Sequence, residues 1–218
     1  MKSVARILFC VLPVIGLSAA APFASRSEAS LPAGSSGAVL RYKVDASQSR
    51  FIVRAFAGGL LSAFGHDHTI AIRDFSGEAI ITPGSLSPAS LQLTIKADSL
   101  SVTDKVSDKD RDEIQTTMRN NVLETGQYPE VVFKTTDVSA NKTAEGQYRV
   151  RISGDLTLHG ATRPISFNGN IEFSAGALRA KGEFALKQTD YKITPVSAAG
   201  GTVKVKDELK FSFDIVAK

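Results

Sequence analysis

Apolar and polar residues alternate along much of the chain from residue 39 onward. Three runs show this most clearly, at 51–55, 91–95 and 209–215, where every second residue is apolar. A period of two residues predicts half-buried β-strands. Polar residues such as Gln92 and Thr94 fall between the apolar ones. One polar face and one apolar face predict an antiparallel sheet with one side in water.

The pattern predicts further strands with turn residues between them. We place these strands at 66–74, 77–82, 130–138, 147–158, 163–173 and 177–187. One stretch differs, because Ile114, Met118 and Val122 recur at helical spacing and Gly126 follows as a stop signal. We therefore expect one helical excursion between strands. Many short strands predict a closed barrel or a sandwich, and an eight-stranded barrel either fills with side chains or holds one small ligand.

The first 38 residues lack this alternation. Lys2 and Arg6 precede an apolar run at 7–17, and small residues follow at 18–21. This order predicts a signal peptide over 1–21 and a periplasmic or secreted protein. Residues 22–38 are rich in Pro, Ser, Gly and Ala and predict a flexible leader. The predicted barrel domain is 39–218, and no apolar run reaches the roughly 20 residues of a membrane span.

Charge and cysteine content narrow the classes of protein. The formal charge is +4, of which Lys2 and Arg6 contribute two, and this is too little to predict nucleic-acid binding. The single cysteine, Cys10, lies in the predicted signal peptide, so no internal disulfide is expected. Sequence signatures of hydrolases, phosphate loops and zinc proteases are absent from the chain. We therefore predict neither catalysis nor a cofactor, and exposed strand edges are compatible with a homodimer.

The three histidines are the candidate chemistry. His66 and His68 are two residues apart and project to one face if they lie on a strand, whereas His159 is distant in sequence. Three imidazoles can hold zinc with one open position, which gives the alternative hypothesis of a metal-dependent enzyme. A second interpretation is structural, with His159 capping a turn and the pair bound to loop carbonyls. A third is that all three form a polar rim that contacts the head of a ligand.

Several phrases together resemble the YceI family of exported lipocalin-like barrels. They are "YKVDASQSRFIV", "RDFSGEAIITPG", "YPEVVFKTTDV" and "VRISGDLTLHGATRPISFNGNIEF", the last being the most specific. The resemblance covers 40–218. Family members commonly carry a histidine soon after an Arg-Asp pair in the helical segment, and this chain has none after Arg111-Asp112.

The resemblance implies an all-β fold, an antiparallel lipocalin-like eight-stranded barrel with one helical excursion. It also implies a binding or carrier protein that sequesters an isoprenoid or fatty-acyl amphiphile in an apolar interior. We expect the histidines at the rim, Leu60 and Leu61 in a flap over the mouth, and phenylalanines along the tunnel. The predicted ligand-binding residues are His66, His68, His159, Phe64, Leu60, Leu61, Phe133, Phe167, Phe211 and Phe213.

Overall fold

A computed structural model describes residues 39–59, 66–82, 85–198 and 202–218. The signal peptide predicted over 1–21 and the leader predicted over 22–38 lie outside these residues. Within the described residues, none of the helices is long and apolar enough to cross a membrane. The strands in chain order are β1 (Leu40–Lys43), β2 (Arg50–Gly58), β3 (His68–Ile72), β4 (Phe75–Thr82), β5 (Ser85–Lys96), β6 (Leu100–Val102), β7 (Glu130–Ala144), β8 (Gln147–Leu158), β9 (Ala161–Ser174), β10 (Ala177–Lys187), β11 (Ser197–Ala198) and β12 (Val203–Ala217).

The strands form one antiparallel sheet that curls into a barrel. β3 and β4 are separated only by residues 73–74, and β5 and β6 only by the 3₁₀ turn Ala97–Ser99. Each pair therefore acts as one bent strand. Counted this way, eight strands close a ring in the order β2, β3/β4, β5/β6, β7, β8, β9, β10, β12 and back to β2. Short β1 pairs with β4 and also contacts the end of β12, where Val44 bridges to Ala217. Short β11 pairs with β12 outside the ring. The predicted lipocalin-like barrel is confirmed.

A corner held by side-chain hydrogen bonds bends both strands at one level. The Ser99 hydroxyl accepts from the Asp74 amide at 3.0 Å and donates to the Lys96 carbonyl at 2.7 Å. The Lys96 amide in turn donates to the Asp74 carbonyl at 3.0 Å. Because the chain changes direction at this bend, β3 pairs with β2 whereas β4 pairs with β1.

The predicted helical excursion is confirmed and covers one end of the barrel. Helix α1 spans Asp108–Thr117 and continues as a π-helical turn at Met118–Val122. It begins at Ser107, whose hydroxyl accepts from the Asp110 amide, as expected of an N-cap. We call this the helix end of the barrel; the β8–β9 turn and the start of β12 lie there too. The opposite end, the hairpin end, carries the β7–β8 and β9–β10 turns.

Inward-facing side chains alternate with outward-facing ones, so the core lies inside the ring. Its most enclosed members include Val150 and Val102, each 2 % exposed. Phe213 lies across a flat patch made by Gly182, its partner in the ladder, and Gly169 beside it. A Cβ added at Gly182 would stand 2.6 Å from the Phe213 ring and 2.8 Å from the Asn168 carbonyl oxygen. Glycine is required here for packing.

We expect Gly182→Ala to lower the free energy of unfolding by about 1–3 kcal/mol, because the added Cβ overlaps the Asn168 carbonyl oxygen of the strand backbone and forces the Phe213 ring from its place. Gly126→Ala is the matched control, because nothing lies within 4 Å of a Cβ at that position. Its effect should stay within about 0.5 kcal/mol. Urea unfolding followed by circular dichroism measures both. Equal stability of the two variants would contradict the packing role of Gly182.

Candidate functional site

The barrel is hollow at its helix end. A cavity of about 490 Å³ lies between the inward faces of β2, β3, β10 and β12 and one face of α1. We call it the main cavity. Most of its lining is aliphatic or aromatic, including Val53, Ile70 and Leu209 from the strands and Ile114 and Met118 from the helical segment. A volume of this size is typical of sites that enclose a small organic ligand.

A smaller cavity of about 130 Å³ continues the hollow toward the hairpin end. The two cavities share five lining residues: Phe51, Ile95, Val131, Leu156 and Phe184. We call these the waist. The Phe184 ring stacks on Phe211 with centroids 4.7 Å apart and on Phe167 with centroids 5.1 Å apart. The interior therefore contains two neighbouring apolar cavities on either side of the waist, beside a stack of aromatic rings.

Polar side chains reach the main cavity only near α1, among the described residues. They are His68, Asp110, Glu113, Thr117 and Gln188. Asp110, Glu113 and Thr117 share one helix face with Ile114, because residues three and four apart align. Gln188 is 4 % exposed, and its amide nitrogen donates to the Lys206 carbonyl at 3.0 Å. The main cavity thus has an apolar body and a polar end beside the helix.

His68 is held by the segment that leads into α1. Its Nδ1 lies 2.9 Å from Oδ2 of Asp104, and the other Asp104 oxygen accepts from the Thr69 amide at 2.8 Å. Both groups are partly buried. One carboxylate therefore fixes the start of β3 and the orientation of the imidazole at the cavity wall.

His159 forms a second connection between barrel and helical segment. Its Nε2 lies 2.7 Å from a carboxylate oxygen of Glu124, and its Nδ1 lies 3.2 Å from the Tyr191 carbonyl oxygen. The Tyr128 ring packs against the imidazole with centroids 4.5 Å apart. These contacts fix the chain just after the π-helical turn to the β8–β9 turn.

The His-Gly pair has a backbone explanation. His159 and Gly160 both have positive φ, 49° and 68°, as a two-residue hairpin turn of this handedness requires. Histidine tolerates the left-handed region better than most residues. A Cβ at Gly160 would stand 2.6 Å from the Tyr128 ring. The turn therefore needs glycine second and accepts histidine first.

Tyr191 is the most enclosed aromatic residue near this turn. It is 1 % exposed, and its hydroxyl has no hydrogen-bond partner in the structure. Burial, with a smaller contribution from the Asp190 charge, raises the pKa of Tyr191 to about 12. The phenol is therefore neutral over the physiological range and belongs to the packing of the barrel wall.

Comparison with known proteins decides the family. The family model described as the YceI-like domain matches residues 42–217. The chain belongs to the YceI-like family. Two curated relatives, both called UPF0312 protein, come from Pseudomonas savastanoi pv. phaseolicola and Pseudomonas syringae pv. syringae. Each is 35% identical over 102 residues, which is 44% of this chain and 49% of the relative. The chain thus spans about half the length of these relatives.

Solved structures show the same YceI-like fold. BcnA of Burkholderia cenocepacia superposes with a TM-score of 0.60 at 17% identity, covering 80% of this chain and 99% of BcnA. A polyisoprenoid binding domain from Saccharophagus degradans superposes with a TM-score of 0.58 at 16% identity, covering 81% of this chain and 97% of that domain. At these identities the comparison supports the fold alone.

Of the ten predicted site residues of this YceI-like barrel, five line a cavity, two do not, and three lie outside the described residues. Phe211 lines the main cavity, and Phe133, Phe167 and Phe213 line the smaller one. His68 lines the main cavity, whereas His159 lies at the same end behind its contacts with Glu124 and Tyr191. His66 is exposed. Leu60, Leu61 and Phe64 lie outside the described residues, so the predicted flap stays a prediction.

The three-histidine metal site does not form. All three histidines are described, and none of them belongs to a group of three or more potential ligands placed to hold a metal. His68 faces Asp104 and His159 faces Glu124, so each ring pairs with a different carboxylate. The two-residue spacing of His66 and His68 was therefore a misleading indication of a metal site. The periodicity of a strand does not reveal which distant residue each histidine contacts.

Asp104, Asp110, Glu113 and Glu124 were missed by sequence reasoning, because charged residues around a polar helix most often form a solvated surface. One signal was available for two of them. Asp110 and Glu113 stand three residues apart, on the face that also carries Ile114. Nothing local points to Asp104 or Glu124, whose histidine partners are 36 and 35 residues away.

We expect His159→Ala to lower the free energy of unfolding by about 2 kcal/mol, because it removes two partly buried polar contacts and leaves alanine at a positive φ. His159→Asn keeps a side chain that tolerates this φ, so the loss that remains in it reports the imidazole contacts alone. His66→Ala is the control and should change stability by less than about 0.5 kcal/mol. Thermal and urea unfolding measure all three. A His159→Ala variant as stable as His66→Ala would exclude the proposed connection.

Proposed function

We propose that the protein is a periplasmic binding or carrier protein that sequesters an isoprenoid or other long-chain amphiphile inside the barrel. The observation that carries this proposal is the apolar main cavity of about 490 Å³, which lies next to the smaller cavity across the waist. A hollow lined in this way offers hydrocarbon a place out of water. The polar end beside α1 offers the head group hydrogen-bonding partners.

The physical basis of binding is burial of the tail. Each methylene moved from water into an apolar site contributes about 0.8 kcal/mol, so a long tail binds tightly without strong polar contacts. The aromatic side chains of Phe51 and Phe184 at the waist add apolar surface against which a tail can pack. The name of the Saccharophagus degradans relative, a polyisoprenoid binding domain, agrees with this ligand class.

Export is the second part of the proposal. It is supported by the order of charged, apolar and small residues over 1–21. A protein that shields an insoluble tail from water is useful where the ligand must leave one membrane and reach another site. Fractionation of cells with N-terminal sequencing of the recovered chain tests this part independently of the ligand.

The decisive experiment is native mass spectrometry of the purified protein, followed by solvent extraction and lipid analysis. We expect a bound species whose mass corresponds to an isoprenoid or long-chain amphiphile, or uptake of a fluorescent prenyl probe by the empty protein. Repeated recovery without lipid together with no probe uptake would exclude the proposed function.

Filling the main cavity should abolish binding without unfolding the barrel. Ala55 lies on β2 and lines the main cavity, so Ala55→Phe places a ring in the space proposed for the tail. The empty volume accommodates the ring, and we expect at least about a tenfold loss of probe affinity, equivalent to about 1.4 kcal/mol. Ala185→Phe on β10 is the matched control, because Ala185 is exposed on the outside. Probe titration measures both, with circular dichroism as a check of folding. Unchanged binding by a folded Ala55→Phe variant would show that the ligand does not enter the main cavity.

A further inference from the structure

The polar end of the main cavity is acidic. Of the charged side chains that line it, Asp110 and Glu113 are carboxylates, and no lysine or arginine is among the described lining residues. Thr117 and Gln188 complete the polar lining, and both are uncharged. The remaining member, His68, already faces the carboxylate of Asp104.

The lysines and arginines of the helical segment do not line the main cavity. The Arg111 guanidinium donates to the carbonyls of Val102 and Val106 at 2.9 and 3.4 Å, and Arg119 does not line the cavity. Among the described lining residues, the acidic side chains are therefore Asp110 and Glu113 of α1.

The start of α1 does not offer an anion site in compensation. A helix N-terminus attracts negative charge through its free amides and its dipole. Here the Ser107 hydroxyl accepts from the Asp110 amide, and Asp108 and Asp110 occupy the first turn. The negative charge that this end favours is already supplied by the helix itself.

We propose that the head group of the amphiphile is uncharged or cationic, and that Asp110 and Glu113 exclude phosphate and carboxylate heads. This inference rests on the proposed function. A polar head cannot lie in the apolar body of the cavity without losing its hydration, so it must lie beside α1. There a hydroxyl, carbonyl or amide finds acceptors and donors, an ammonium finds two carboxylates, and a phosphate meets charges of its own sign.

The test compares three ligands that differ only in the head: geranylgeraniol, geranylgeranyl monophosphate and geranylgeranylamine. Each displaces a fluorescent prenyl probe from the purified full chain at low ionic strength. We expect the alcohol and the amine to bind at least about tenfold more tightly than the phosphate. Added salt should narrow this difference, because partly exposed charges are screened.

Matched variants assign the selectivity to the two residues. Asp110→Asn with Glu113→Gln should bring the phosphate to within about threefold of the alcohol, with little change in affinity for the alcohol. Asp108→Asn with Asp112→Asn is the control, because it removes the same charge from exposed positions of the same helix that do not line the cavity. The control should keep the wild-type preference.

The outcomes separate the two proposals. If the alcohol binds but the phosphate binds equally well or more tightly, the head-group inference is overturned and the proposed function stands. If both double variants shift the preference equally, a long-range field is responsible and the assignment to Asp110 and Glu113 is overturned. If none of the three ligands binds, the proposed function fails and the head-group inference fails with it.

Discussion

Closure of the sheet depends on the corner formed by Asp74, Lys96 and Ser99. A straight hairpin of this length would pair with β2 along its whole edge and leave no edge for β1. The hydrogen bonds of Ser99 and the Asp74–Lys96 backbone contact turn both strands together. After this bend, β3 lies next to β2 and completes the ring, whereas β4 pairs with β1. The closed ring encloses the volume that the ligand is proposed to occupy.

A closed barrel that is hollow at one end needs a cover, and α1 supplies it. The helix is short and polar on most of its surface, so intrinsic propensity does little to hold it in place. Two histidine–carboxylate contacts instead join its flanks to strands: Asp104 before the helix and Glu124 after the π-helical turn. The histidines thus have structural roles at the site, and the helix presents its own carboxylates to the cavity.

Periodicity was sufficient to predict the strands, the single helical segment and the inward phenylalanines, because each depends on local alternation. The break between 66–74 and 77–82 was also visible, but not that the two halves pair with different neighbours, since that is decided by Ser99 some 25 residues away. The partners of His68 and His159 were hidden for the same reason. The two-residue spacing of His66 and His68 was compatible with the alternative hypothesis of a metal site, which the long-range pairing does not form. The carboxylates of α1 that line the main cavity were not predicted.

Both ends of the described barrel chain meet at the hairpin end. Lys43 and Lys218 exchange backbone hydrogen bonds at 2.7 and 2.9 Å, and Val44 bridges to Ala217. Leu40 enters beside Ile81, far along β4 from the helix. A fluorophore, affinity handle or surface anchor attached beyond Lys218 would therefore point away from α1 and leave the approach to the main cavity unobstructed. The architecture thus places a point of attachment at one end of the barrel and the main cavity at the other.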